Sequence, residues 1–402
     1  MGPLPVNKRT QTWTKRQRPR ELVRGAFKGR MSQTAISEGE GSGWKVEPTI
    51  GEVMRLVFLS GILFTATILH FQNYRSVVTN FGDSAGYTAI ASSIRHWDFS
   101  GLHIKQFCGY PYAVAALSVL TQVSDQSSLL LISSVSSLLS VVFAYRLWGG
   151  WIAGLFALLN FDWMQRSFLG GSEPLATALI FGAFLAVRKE RSVLASLLAS
   201  STAVVRPLGV FCLVGVAIVL LRRREFKKMG LVIAIGIAVG TLYVIPLAAH
   251  FGDPLATVHS YQGGGRALFG FPFYAIIEGT LLYPVPVTNL ALSFGWILLI
   301  LSGVSAMIFS PRFREYAAGN QCEILFLVPY LMSTACYNYP VFARTNFARF
   351  SIPILPLVYL ALLKWMPKDR RLLWALGLVT PVLAAASALG IRNVIHLLTI
   401  KT

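Results

Sequence analysis

Long apolar runs recur along this chain, and they constrain its fold more than any other feature. Residues 53–71, 127–147, 229–249 and 288–309 are four of these runs. A helix needs roughly 17–25 apolar residues to cross a bilayer. Backbone polar groups find no water in lipid, so only helices and closed barrels can span it. Short alternating strands are absent, and we therefore predict an all-α polytopic membrane protein.

The distribution of charge supports a membrane protein and argues against nucleic-acid binding. Only 13% of the 402 residues are charged, whereas soluble proteins carry about 25%. The net charge of +19 is concentrated in residues 1–55, which hold 11 of the 36 Lys and Arg residues, and in short loops such as 188–191, 222–224 and 368–371. This is the positive-inside pattern, and it indicates contact with anionic lipid headgroups.

The chain divides into a polar tail and a membrane domain. Residues 1–50 are basic and rich in Gly, Ser and Thr, which predicts a disordered cytoplasmic tail. Residues 51–402 form the membrane domain, and its first span, 53–71, is expected to be a retained anchor. The first outer loop, 72–126, follows. Within it we predict a surface helix at 84–96.

Segment 110–124 decides the topology. It is apolar but short, so we interpret it as a second surface or half-inserted helix. If it crossed the bilayer, the basic cluster at Arg188 would lie outside. With 110–124 on the surface, 26 basic residues lie inside and 10 outside. Arg206-Pro207 breaks residues 193–221, whose basic flanks predict two short helices with their tip directed outward.

The remaining spans complete a bundle of about 11 transmembrane helices. A second outer loop is expected at 250–287. The predicted later segments are 127–147, 151–167, 172–187, the broken pair in 193–221, 229–249, 288–309, 323–337, 350–365 and 372–390.

Asp83 is the first candidate for chemistry. It lies in Asn80-Phe81-Gly82-Asp83-Ser84-Ala85-Gly86-Tyr87, directly after the first span, where few other acids occur. A carboxylate at a membrane surface suggests a general base that acts on a lipid-linked substrate. The alternative is a helix N-cap, which Asp favours.

Glu173 and Arg206 form a second pair of candidates. Glu173 precedes Pro174 at the start of a span, where an acid also complements the helix dipole. Arg206 is a cation in an apolar stretch, which is costly without a partner. It could pair with Glu173 or Asp83, or bind a lipid phosphate, for which its guanidinium geometry is suited.

Other candidates occupy the outer loops. Arg266, Arg344 and Arg349 place cations near the lipid boundary, where they could also be interfacial anchors. Tyr87, Asp253, His103 and His259 are weaker candidates. Neither His, Asp and Glu residues nor the four cysteines show metal-ligand spacing. A disulfide between Cys108 and Cys336 is compatible with the topology, although isolated thiols are the simpler interpretation.

Taken together, these segments resemble the GT-C superfamily of membrane glycosyltransferases, and within it the PIG-V-like mannosyltransferases related to GPI mannosyltransferase II. The resemblance covers roughly residues 75–390, and its specificity lies in the order of the motifs. These are Gly82-Asp83-Ser84-Ala85-Gly86-Tyr87, Gly171-Ser172-Glu173-Pro174-Leu175, Val205-Arg206-Pro207-Leu208-Gly209-Val210, Gly252-Asp253-Pro254-Leu255-Ala256 with Arg266, and Arg349-Phe350-Ser351-Ile352-Pro353. Pro174 and Thr257 depart from the family pattern.

The resemblance implies a function. It implies an inverting transferase that moves a sugar, which is mannose in this family, from a polyprenyl-phosphate carrier to an acceptor hydroxyl. Asp83 would be the base, and Tyr87, Glu173, Arg206, Asp253, Arg266 and Arg349 would bind substrate. The donor is a lipid-linked substrate, and no metal or other cofactor is implied. The acceptor is not identified.

Two other classes remain open on the sequence. One is a transporter or flippase of polyprenyl-linked sugars, for which the absence of visible repeats is unfavourable. The other is a non-catalytic subunit of a larger transferase. The last residues, Ile400-Lys401-Thr402, carry no recognisable retention signal. This favours a bacterial plasma membrane over the endoplasmic reticulum.

Overall fold

The structure, a computed structural model, describes residues 46–98, 109–257, 259, 267–282, 287–338 and 347–390. These residues belong to one compact unit, Trp44–Thr402. The described parts contain no β-strand beyond a single bridge between Phe269 and Tyr337. The expected all-α class is confirmed.

The helices follow one another with short connections. In chain order they are α1 Ile50–Phe71, α2 Tyr74–Asn80, α3 Ser84–His96, α4 Gly109–Thr121, α5 Asp125–Trp148, α6 Gly150–Leu159, α7 Phe161–Leu169, α8 Ser172–Arg188, α9 Ser192–Val205, α10 Val210–Arg222, α11 Phe226–Phe251, α12 Tyr274–Leu282, α13 Val287–Phe309, α14 Pro311–Gly319, α15 Gln321–Ala335, α16 Leu355–Leu362 and α17 Arg370–Ala388.

Several of these helices can cross a membrane. Within the described residues, α1, α5, α11 and α17 are long and apolar enough. The number rises to six if two bent pairs, α7 with α8 and Phe294–Phe309 with α14, each count as one span. Shorter apolar helices occur at Gly150–Leu159, Ser192–Val205, Pro207–Arg222 and Ile352–Leu362. This set is roughly consistent with the expected number of spans.

The break predicted at Arg206-Pro207 is present. Arg206 has an extended backbone, with φ −144° and ψ 132°, between α9 and a short 3₁₀ turn at Pro207–Gly209. Proline disfavours a helical conformation in the residue before it and cannot donate a backbone hydrogen bond. The break therefore places Arg206 at the tip of a helical hairpin.

The segment expected to be one span at 151–167 is instead two helices, and that prediction was wrong in detail. The chain leaves α6 at Asn160, whose side-chain oxygen accepts a hydrogen bond from the Trp163 amide at 3.2 Å and so caps α7. Helices α7 and α8 then meet at 105° through Gly170, whose φ is +88°. The result is a sharp turn directly before Glu173.

An aromatic core lies between α6, α8 and α15. Phe156, Phe181, Phe184 and Phe326 are fully buried and contact one another at ring separations of 5.6–6.5 Å. Aromatic pairs at such distances stabilise packing beyond the area they bury. This core fixes the middle of α8, whose two ends both carry charged groups.

A buried polar network lies at the C-terminal end of α8. Arg188 donates to Glu323 from Nε at 2.9 Å and from Nη2 at 2.6 Å. Tyr316 also donates to the Glu323 carboxylate, and Trp148 donates its indole N–H at 3.3 Å. Because Glu323 is only 2% exposed, these donors are what makes a buried carboxylate tolerable.

We predict that Glu323→Ala lowers the free energy of unfolding by about 3 kcal/mol, because it leaves Arg188 without its buried partner. The matched control is Glu225→Ala, which removes an exposed ion pair with Lys228 and should cost less than about 1 kcal/mol. Melting temperatures of the purified variants in detergent measure the difference. Equal shifts in melting temperature for the two variants would contradict a stabilising role for the buried Glu323 network.

Candidate functional site

Asp83 stands at the start of α3 but does not cap it. Its side chain makes no capping hydrogen bond. Its Oδ2 instead accepts a hydrogen bond from Arg349 Nη2 at 2.6 Å, and Arg166 Nη1 lies 3.8 Å away. The neighbouring Ser84 holds the start of α3, since its hydroxyl donates to the Gly170 carbonyl at 2.7 Å. The Asp83 carboxylate therefore pairs with arginines and does not cap its own helix.

Glu173 lies in the first turn of α8 and is 2% exposed. Its Oε1 accepts hydrogen bonds from Arg206 Nη1, at 2.5 Å, and from Arg349 Nε. Of the two partners that the sequence left open for Arg206, the structure shows Glu173. Arg349 consequently bridges two carboxylates that are 90 residues apart in the chain.

The backbone around Arg349 is fixed on both sides. The Asn160 side-chain amide donates to the Ala348 carbonyl at 3.2 Å. The Tyr330 hydroxyl donates to the Phe350 carbonyl at 2.9 Å. The residue that caps α7 thus also positions Arg349.

Arg166 is the member of the site that sequence reasoning missed. It lies in α7 with its side chain 9% exposed, 4.6 Å from the centre of the Phe81 ring. Its Nε and Nη1 are buried and donate no hydrogen bond within the described structure. The available signal was an arginine inside the predicted span 151–167, since an ionisable residue within a span is by default a functional candidate.

Gly82 makes room for Arg166. Its φ is +45°, in the left-handed region that glycine adopts most readily. A Cβ at this position would lie 3.1 Å from Arg166 Nη1. The Gly82-Asp83 step thus brings the carboxylate and the buried guanidinium together.

We call Asp83, Arg166, Glu173, Arg206 and Arg349 the charge cluster. It contains three guanidinium groups and two carboxylates, so its formal charge is +1. Four of its side chains are largely buried and Asp83 is 31% exposed. Opposite charges at these distances interact strongly where water is excluded. Chemically, the cluster can hold an anion against its arginines and present one carboxylate to a substrate.

Tyr87 adjoins the charge cluster through Ser172. Its hydroxyl lies 3.0 Å from Ser172 Oγ, which also accepts from Arg206 at 3.3 Å. Burial, with a smaller effect from the nearby Asp83 and Glu173 charges, raises the pKa of Tyr87 to about 12. Tyr87 therefore remains a protonated hydroxyl at neutral pH.

Asp253 is placed differently from the other candidates. It pairs with His259, whose Nδ1 lies 2.7 Å from Oδ2. The hydrogen bonds from His259 and from the Leu255 amide lower the pKa of Asp253. Within the described structure, no hydrogen bond or ion pair connects it to the charge cluster. Arg266, Arg344, His103 and Cys108 lie outside the described residues. Cys336 is described and is a free thiol, which favours the isolated-thiol interpretation over the Cys108–Cys336 pairing.

Among the described residues, no group of three or more His, Cys, Asp and Glu side chains has an arrangement that could hold a metal ion. The donors that do converge are guanidinium groups, which bind anions rather than cations.

No family model and no curated protein matches this chain. Its structure is similar to that of ArnT from Cupriavidus metallidurans bound to undecaprenyl phosphate, with a TM-score of 0.48 and 14% identity over 82% of this chain and 63% of that one. It is also similar to the oligosaccharyltransferase of Archaeoglobus fulgidus in the apo form, with a TM-score of 0.45 and 13% identity. A third similar structure is AglB from the same organism in complex with an inhibitory peptide and a dolichol-phosphate, with a TM-score of 0.45 and 14% identity.

Each archaeal match covers 84% of this chain and 56% of the other chain. This chain thus spans less than two thirds of the length of all three. TM-scores below 0.5 at this identity do not assign the chain to a family.

The unequal burial of the two carboxylates predicts unequal effects on stability. Glu173→Gln removes the negative charge shared by two buried arginines and should cost about 3 kcal/mol of unfolding free energy. Asp83→Asn affects a carboxylate that is 31% exposed and should cost about 1 kcal/mol. Thermal melting in detergent compares the two. A loss for Asp83→Asn as large as that for Glu173→Gln would contradict the prediction.

Proposed function

We propose that this chain is an inverting GT-C-type membrane glycosyltransferase, which moves a sugar from a polyprenyl-phosphate carrier to an acceptor hydroxyl. We assign the role of general base to Asp83. On the motif resemblance, the sugar is mannose and the subtype is PIG-V-like. The setting is a bacterial plasma membrane with the site facing outward, the alternative being the endoplasmic reticulum.

The convergence of the charge cluster carries this proposal. Asp83, Glu173, Arg206 and Arg349 come from four motifs that resemble the family in order, and they meet through direct hydrogen bonds. No described residue donates a hydrogen bond to Asp83 Oδ1. This oxygen can therefore accept one from an acceptor hydroxyl.

In the proposed reaction, Asp83 takes the proton of the acceptor hydroxyl. The hydroxyl oxygen forms a bond to the anomeric carbon as the bond from that carbon to the phosphate oxygen breaks. The electron pair of the broken bond leaves with the phosphate, so polyprenyl phosphate is released and the anomeric configuration inverts. Asp83 then returns its proton to water.

The arginines support the leaving group. Negative charge grows on the phosphate oxygen as the bond breaks, and fixed cations that face this charge lower the barrier. Arg349 and Arg206 are the residues that we assign to this role. Glu173 holds both guanidinium groups in place. Tyr87 would donate its hydroxyl to substrate, and Asp253 and Arg266 would contact it from the second outer loop.

The test uses the purified full chain in detergent with polyprenyl-phosphate mannose labelled in the sugar. Label that leaves the lipid, by hydrolysis or onto membrane extract, is measured for the wild type and for Asp83→Asn. We expect turnover in the wild type and a loss of at least about 100-fold in Asp83→Asn, as for removal of a general base.

The matched control is Asp369→Asn. Asp369 caps α17 by accepting a hydrogen bond from the Arg371 amide at 2.9 Å, and Asn caps equally well. Its activity should equal that of the wild type. Full activity in Asp83→Asn would exclude Asp83 as the base. A wild type that turns over no polyprenyl-phosphate hexose but moves the intact lipid across liposomes would instead establish a flippase.

A further inference from the structure

A polar cavity of about 280 Å³ lies beside the charge cluster. It lies between the end of α1, α2, α7 and the last turn of α17, and it is open on one side, where Gln72, Ser76, Asn80 and Ser387 are exposed. Its polar and aromatic lining side chains are Gln72, Ser76, Asn80, Phe81, Gln165 and Ser387. The mechanism proposed above uses none of them.

From this lining we propose that the cavity is a subsite for an uncharged sugar ring, contributed by either the acceptor or the donor. The inference rests on the proposed function and specifies what one part of the site binds. The ring would stack its C–H face on Phe81 and exchange hydrogen bonds with the surrounding amides and hydroxyls.

The chemistry of the walls supports a sugar. Five of the named side chains are amides or hydroxyls, which both donate and accept hydrogen bonds as sugar hydroxyls require. The lining contains no charged side chain among the described residues, so the cavity suits a neutral group rather than the phosphate. An aromatic face with a few placed polar groups is also typical of small-molecule sites.

Two of the walls are held in place by the protein. Gln165 is 9% exposed, and its amide donates to the Ala384 carbonyl at 2.8 Å, which fixes the amide plane between α7 and α17. Arg166 packs against the Phe81 ring at 4.6 Å. This contact orients the ring and occupies one of its faces. Preorganised groups bind with a smaller loss of conformational entropy.

The cavity lies next in the chain to two members of the charge cluster, since its lining residues Gly82 and Gln165 directly precede Asp83 and Arg166. Gly82 lines it and Asp83 is the next residue, so the two Cα atoms are about 3.8 Å apart. If the ring belongs to the acceptor, it would present a hydroxyl to Asp83 from this side. If it belongs to the donor, the ring sits beside the base and the acceptor approaches from outside the cavity.

The binding test needs no catalysis. Saturation-transfer NMR with methyl α-mannoside is recorded for the wild type and Asp83→Asn. Both proteins should show saturation transfer to the bound glycoside. Ser387→Phe and Ser76→Phe fill the cavity from different helices and should abolish it. Phe81→Leu, which keeps an apolar side chain without the ring, should weaken the Kd about tenfold. Leu383→Phe changes an exposed position of α17 and should bind as the wild type does.

Kinetics then identify the source of the ring. If the cavity holds the donor sugar, Ser387→Phe raises the KM for hydrolysis of polyprenyl-phosphate mannose at least about tenfold. If it holds the acceptor, hydrolysis is unchanged and transfer to membrane glycans is lost. Unchanged transfer, hydrolysis and glycoside binding in both Phe variants would overturn the subsite. Glycoside binding that the Phe variants abolish, in a chain without any turnover, would retain the subsite and refute the transferase.

Discussion

The shared hydrogen bonding of Arg349 to Asp83 and Glu173 is the interaction on which the site depends. Removing two carboxylates and three guanidinium groups from water is costly, and only close pairing offsets that cost. Arg349 provides the pairing for both acids at once, while Arg206 adds a second contact to Glu173. Loss of this one guanidinium would leave Asp83 with only the more distant Arg166 at 3.8 Å and Glu173 with only Arg206.

Three features of the surrounding helices position the residues that Arg349 connects. Asn160 ends α6, caps α7 and holds the backbone beside Arg349. The sharp turn between α7 and α8 positions Glu173, and the break at Pro207 positions Arg206. About 25 Å away along α8, at 1.5 Å per residue, the Glu323 network closes the other end of the helix. Helix α8 therefore carries a charged group at each end. The Glu323 network at one end has its hydrogen bonds formed, whereas the charge cluster at the other end keeps a carboxylate oxygen of Asp83 and donors of Arg166 without a hydrogen bond among the described residues.

The sequence predicted the positions of the helices better than the contacts between their side chains. Local signals located the helix at 84–96, the short helix near 110–124 and the break at Arg206, because apolar length and proline act within a few residues. The division at Asn160 was missed, since the run 151–167 contains no proline or glycine pair to mark it. The pairing of Asp83 with Arg349 spans 266 residues and is set by tertiary packing. Arg166 was missed because it lies near the end of the predicted span 151–167, where basic residues are ordinary interfacial anchors. Asp253 pairs locally with His259.

The most direct test of the account is the anomeric configuration of the sugar in the first product. NMR of the product from wild-type protein and a polyprenyl-phosphate hexose of known anomeric configuration measures it. The account predicts the opposite configuration, because Asp83 activates a hydroxyl that displaces the phosphate in one step. A retained configuration would exclude a single displacement from the face opposite the phosphate and would contradict the proposed reaction.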